Sequence, residues 1–271
     1  MKNRNQWLRR AVLGISVLLP LSAWAQDACP PEGTDASSLA LLKEQRFVID
    51  DVAVRDALAM GLLGCLSSPD PTLRDGMAYE AFTQWLRNDQ LQPEVRAQLR
   101  DRLYDMLKEA DEAGFRQSFA ALVLSEVART DRISPWMSPA ERVAMVKAAT
   151  QYLRSVTDYR GFDNTEGWRH GVAHGSDWLL QLALNPGVER AQLDQMLDAI
   201  ATQVVPESGH AYVFGEPGRL ARPVLYIAKR GLLSEAEWTT WFSALPARIG
   251  DASQAYSNTD WLARRHDLLA F

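Results

Sequence analysis

A chain of 271 residues with 29 basic and 34 acidic side chains carries a net charge of −5. That balance neutralises phosphates poorly and argues against a nucleic-acid partner. With 47% hydrophobic residues and two cysteines, the chain can bury a sizeable core without a framework of disulfides.

Residues 1–25 read as an export signal. Lys2, Arg4, Arg9 and Arg10 form a basic start, an apolar run extends from Ala11 to Leu21, and Ala23-Trp24-Ala25 is a small-x-small cleavage site. The run is too short for a spanning helix, which needs roughly 20 apolar residues. The expectation is an exported protein in the periplasm of a Gram-negative bacterium, with no membrane anchor left after cleavage. Loss of the four basic residues leaves 25 basic against 34 acidic, a net charge of −9, which also disfavours docking on anionic lipid. Residues 26–34 read as a flexible lead-in and 35–271 as a single domain. Cys29 and Cys65 would share an oxidising compartment, where a bridge is allowed. Within Gly61-Leu62-Leu63-Gly64-Cys65-Leu66, however, Cys65 would equally serve as a small buried apolar residue.

From there on, apolar residues recur at three- and four-residue steps, so the chain reads as all-α. Helices are expected over 36–45, 51–66, 71–88, 93–110, 115–129, 139–156, 166–184, 189–204, 217–230, 234–247 and 257–270. The start at 139 is the best marked, with Ser138, Pro139 and Glu141 in a capping-box pattern. Connections are short, which makes consecutive helices antiparallel neighbours. So many helices cannot surround one core. A HEAT-like α-solenoid of stacked pairs is the natural solution, and a closed α/α toroid is the alternative.

The stretch from 160 to 180 carries the densest chemistry. On a helix over 166–184, Val172, Gly175, Leu179, Leu182 and Ala183 cluster around Trp168, while His170, His174, Asp177 and Gln181 share the opposite face. A solvated face is one reading and an enclosed polar pocket the other. Two of only four histidines fall here, as do Gly171 and Gly175, each costing up to about 1 kcal/mol against alanine in a helix. The histidines favour a pocket, and the glycines call for close helix packing or the close approach of a ligand.

His170 and His174, at i and i+4, have the spacing that lets two imidazoles chelate a divalent transition metal. Asp177 would then orient the His174 ring, and Glu216, His210 or Asp158 would supply a further ligand. The His-Glu-x-x-His order of zinc proteases is absent. Ahead of the helix, Asp158 and Arg160 form either a turn-fixing pair or a carboxylate-binding donor. Glu216 opens a later helix, where a carboxylate is favourable in itself, and Arg219 follows one turn on. Ser118, Ser176 and Ser208 lack a Gly-x-Ser-x-Gly context, and Gly215-Glu216-Pro217-Gly218 lacks the Lys-Ser/Thr of a phosphate loop.

Asp158-x-Arg160-Gly161, then Gly167-Trp168-x-His170-x-x-Ala173-His174-x-x-Asp177, then Glu216 ahead of Arg219-Leu220-Ala221, together resemble a bacterial family known as domain of unknown function 2785. Leu73-Arg74-Asp75 and Ser118-Phe119 resemble two further blocks, and the similarity spans roughly residues 39–230. Pro217-Gly218 stand where acidic residues are usual, and Gln117 where arginine is expected. The resemblance implies a helical, HEAT-like fold and transfers no activity. The leading functional expectation is a pocket around His170, His174 and Asp177, with Asp158, Arg160, Glu216 and Arg219, that binds a small molecule or a protein partner. A metal-dependent hydrolase using Asp177 or Glu216 as base, and a purely structural helical scaffold, are the alternatives.

Overall fold

In a computed structural model the protein is described over residues 28–271; the export signal expected over 1–25 lies outside the described residues. Local chemistry sets where most helices begin. The Asp35 carboxylate caps α1 (Ala36–Glu44), and Asp51 caps α2 (Val52–Gly61). Asp70 and Pro71 open α3 (Pro71–Leu73), which runs through a π-helical turn at Arg74–Tyr79 into α4 (Glu80–Arg87). Pro93 starts α5 (Pro93–Met106), and α6 spans Arg116–Ile133. Ser138 and Glu141 form a complete capping box on α7 (Pro139–Ser155). Then follow α8 (Gly171–Ala183), α9 (Arg190–Val204), α10 (Glu216–Lys229), α11 (Glu235–Ala244) and α12 (Thr259–Ala270). Each side-chain cap satisfies a backbone N–H that the helix leaves orphaned, worth about 1 kcal/mol.

The fold is all-α, and alternate helices lie side by side. α4, α6, α8 and α10 form one row, α8 packing most extensively on α6 and then on α10. Behind it α7 packs on α8 and α9, and α5 on α6, giving a second layer. The core between the layers includes the fully buried Trp85, Phe115, Phe119, Leu124, Met145 and Trp178. Among the described residues, neither α1 nor α2 packs extensively on α10, α11 or α12.

Two expectations need correction. The helix expected over 51–66 ends at Gly61, and a 3-10 turn, Gly64–Ser67, carries Cys65 into the core. In the described part of the lead-in, Cys29 is bonded to Cys65, Pro31 is buried, and Thr34 donates from N–H and hydroxyl to the Pro31 carbonyl. The helix expected from 166 begins at Gly171. In its place stands a hairpin of β1 (Phe162–Asp163) and β2 (Gly167–Trp168), paired antiparallel with Phe162 opposite Trp168. The Asp163 carboxylate accepts from the Thr165 and Glu166 N–H groups to make the turn, and Gly167 at φ 74 and His170 at φ 56 take the backbone out of the helical region.

Candidate functional site

His170 joins the hairpin to α8. Its N–H donates to the Arg160 carbonyl at 3.2 Å, and the Arg169 N–H to the Gly161 carbonyl at 3.0 Å. The left-handed turn at His170 then starts the helix, with no side chain capping it. Asparagine or glycine would take this conformation at little expense, whereas histidine is strained there by about 1–2 kcal/mol.

The His170 ring is 9% exposed and stacked beneath Trp168, centroids 4.6 Å apart. Its Nε2 lies 3.4 Å from Glu216 Oε1. Glu216 is buried at the first position of α10, and its other oxygen accepts from the Phe214 N–H at 3.0 Å. Burial acts to raise the Glu216 carboxyl. The His170 ring and the N–H groups of Glu216 and Phe214 outweigh it and hold the group below the ordinary glutamate value.

One turn along α8, His174 Nδ1 lies 3.0 Å from the Ser118 carbonyl oxygen, and the ring meets Phe119 edge-on. A carbonyl only accepts, so Nδ1 carries the proton and Nε2 keeps its lone pair. Burial, reinforced by His170 and Arg219 nearby, lowers the pKa to about 3, so the ring is neutral at physiological pH. Among the described residues no protein group bonds the His170 Nδ1 or the His174 Nε2, and both touch solvent.

Of the polar face expected on α8, both histidines are buried, while Asp177 and Gln181 are half-buried. The two glycines also have a cause. A Cβ on Gly171 would lie 3.2 Å from the Tyr152 hydroxyl, and one on Gly175 would lie 3.1 Å from both Leu153 Cδ1 and Tyr152 Cε1. Asp177 does not orient His174; it takes a two-point ion pair from Arg219, whose Nε donates to Oδ1 at 2.8 Å. Asp158 and Arg160 pair with each other, Arg160 Nε to Oδ1 at 2.8 Å, and Arg160 also donates to the Glu112 and Ala113 carbonyls. This fixes the approach to the hairpin, and Asp158 opens on a separate cavity of about 140 Å³ with Ser118, Tyr152 and Arg169. His210 makes its ring contacts with Tyr159 and Tyr212 instead of joining His170 and His174.

The donor set also departs from the metal expectation. Among the described residues no group of three or more His, Cys, Asp and Glu side chains is placed to hold a metal ion. Asp177 is engaged by Arg219, Glu216 by His170 and a backbone N–H, and Asp158 by Arg160. His170 is the left-handed N-cap of α8; the His174 N–H still donates to its carbonyl at 3.0 Å, and the ring centroids are 6.0 Å apart.

Sequence reasoning missed several members of this region. Arg74, in the π-helical turn, is fully buried. Its guanidinium lies 4.1 Å from the Phe115 ring centre and 4.8 Å from that of Phe119, pairs with Asp75 at 2.7 Å, and donates to the Ser68 and Glu166 carbonyls. Arg169 lies 4.2 Å from the centre of the same Phe115 ring. Arg87 of α4 pairs with the buried Glu126 of α6, and Arg132 of α6 donates to Gln181 of α8 at 3.1 Å. The signal was present in Leu73-Arg74-Asp75 and Ser118-Phe119, but a lone arginine in a helical stretch normally reads as surface. Over His170, the exposed aromatics Phe162, Trp168 and Phe214 make a rim. Phe214 packs directly on Gly161, where any Cβ would overlap its ring.

The family model described as "Protein of unknown function (DUF2785)" matches residues 103–271. No curated protein and no solved structure matches the chain.

Proposed function

Since the chain belongs to the DUF2785 family of proteins of unknown function, whose name carries no activity, we propose from the chain's own geometry that it is a binding protein. Its ligand is a small organic molecule, taken at the face where His170, His174, Asp177, Glu216 and Arg219 meet. The carrying observation is His170, a non-glycine residue held left-handed, buried and stacked under Trp168, with one ring nitrogen turned to Glu216 and the other reaching solvent. Strain of this kind persists only where the surroundings over-determine it, and it concentrates at functional sites. The open Nδ1 of His170 and the acceptor Nε2 of His174, beside an exposed aromatic rim, suit a ligand with its own polar groups and an apolar face.

Export to an oxidising compartment belongs to the same proposal. It is supported by the basic-apolar-small pattern of residues 1–25 and by the Cys29–Cys65 bridge. A metal-dependent hydrolase finds less support, because Asp177 is engaged by Arg219 and no third metal ligand is at hand among the described residues.

The test is fragment screening by NMR on protein labelled at histidine. Fragments that bind should shift the His170 and His174 ring resonances together and lose that effect in Trp168→Ala. Hits scattered over unrelated surfaces, with both rings silent, would leave only the scaffold reading.

A further inference from the structure

The sides of α2 are reversed for a helix that covers a core. Its buried residues are Arg55, Asp56 and Ala59, whereas Val52, Val54 and Ala57 are exposed, Val54 at 55%. The inward pair is only partly satisfied: one Arg55 nitrogen donates to the Ile49 carbonyl at 2.8 Å, but Arg55 Nε and Asp56 Oδ1 have no partner among the described residues. Buried charge left partly unpartnered opposes folding, and core packing alone would favour the opposite arrangement.

What the outward side meets is a cavity of about 690 Å³, within the range of roughly 300–1,000 Å³ typical of small-molecule sites. Val54, Ala57, Leu58 and Gly61, at i, i+3, i+4 and i+7 on α2, form one wall, and Gln98, Arg102, Met106 and Glu109 of α5 form another. The lead-in adds Pro31, Glu32 and Thr34. It is tied down by the Cys29–Cys65 bridge and by Pro31 seated against Gly61, where an added Cβ would lie 3.0 Å from the proline ring. None of the lining residues belongs to the histidine face, so this is a second site.

The lining selects an occupant by shape and by charge. No aromatic ring lines the cavity, so nothing there stacks on a planar ligand, while the flexible thioethers of Met60 and Met106 adapt to an aliphatic chain. Three of the lining residues carry charge. Glu109 is paired with Arg116, and Arg102 lies 3.6 Å from Asp105. Glu32 is exposed and, among the described residues, makes no ion pair or side-chain hydrogen bond. The charge left to a ligand is therefore negative, in a chain of net charge −5 that draws cations. We infer that the cavity between α2 and α5 is a binding site for an aliphatic cation, a molecule with a flexible hydrocarbon body and an ammonium head, the body lying between Leu58 and Met106 and the head beside Glu32.

The test titrates the full chain, below micelle-forming concentrations, with three probes: decyltrimethylammonium, decanoate as a similar chain with an anionic head, and tetramethylammonium as the head alone. Calorimetry gives affinities, and methionine-methyl NMR locates the site. Decyltrimethylammonium is expected to bind saturably, to shift the Met60 and Met106 methyls and to raise the thermal midpoint. It should bind about tenfold more tightly than decanoate. Glu32→Gln should weaken it about threefold, the scale of an exposed charge pair. Ala57→Arg sets a bulky cation at an exposed position of the wall; it should weaken binding at least about tenfold and leave the midpoint of the free protein unchanged. Equal or tighter binding of decanoate overturns the inference, as does tetramethylammonium binding as tightly as the whole amphiphile. So does binding that leaves both methyls still, ignores Ala57→Arg or lowers the thermal midpoint, all marks of surfactant adsorbed on an acidic surface. If no probe moves either methyl, the inference falls and the histidine face is untouched.

Discussion

His170 and Asp267 hold two residue-scale tensions that substitution can release. Asparagine tolerates the left-handed region, so His170→Asn removes about 1–2 kcal/mol of backbone strain while forfeiting a ring stack worth about 0.5–1.5 kcal/mol. Urea unfolding is expected to place it within about 1 kcal/mol of the native chain, while the proposed ligand binding is lost. His170→Val, a β-branched residue at positive φ, should instead destabilise by at least about 2 kcal/mol. Asp267 on α12 is fully buried; one carboxylate oxygen accepts the Tyr212 N–H at 2.8 Å and the other has no partner. Burial raises its pKa to about 6. The folded state therefore holds this proton more tightly than the unfolded one, and native stability falls as pH climbs from about 4 through 6. Asp267→Asn keeps the acceptor and removes the charge. It should raise stability at pH 8 by about 1–3 kcal/mol and change little at pH 4, read from urea midpoints at the two values.

At the scale of elements, α8 shows what pattern reading reaches and where it stops. Caps and apolar spacing placed the start of α7 at Ser138-Pro139 and the end of α9 at Val204, because those signals are local. The same spacing carried the α8 helix back to residue 166. It had no means of registering that Gly167 and His170 adopt positive φ, a choice made by the hairpin's contacts with Arg74 and Pro71. The residues of the proposed site could be named from the sequence, but their partners could not: Asp177 meets Arg219 across 42 positions and His174 meets Ser118 across 56, separations that no local rule spans. Gly175 gives the element-scale prediction. Alanine there gains up to about 1 kcal/mol of helix propensity but drives a methyl against Leu153 and Tyr152. Gly175→Ala is expected to lower stability by about 1–2 kcal/mol net, the sign expected of overpacking, and a rise in the thermal midpoint would show that α7 gives way.

For the whole molecule, the Cys29–Cys65 bridge closes a loop of 36 positions and in the chain-entropy model contributes about 4 kcal/mol. Cys29→Ser with Cys65→Ser should lower the urea midpoint accordingly, and added reductant should bring the native chain down to the same value and leave the variant unmoved. The sequence left this pairing open because two cysteines reveal nothing of their distance, which depends on the 3-10 turn at Gly64–Ser67. The buried guanidinium of Arg74 has a wider consequence. It comes from the part of the chain ahead of residue 103, where the family match begins, yet it holds the Glu166 carbonyl and one flank of Phe115. A fragment cut at that boundary would lose the peg on which the hairpin hangs, and Trp168 would lose its fixed place above the histidine. The smallest unit able to display the complete face thus reaches back at least to Pro71, and experiments on a shorter piece would probe a different surface.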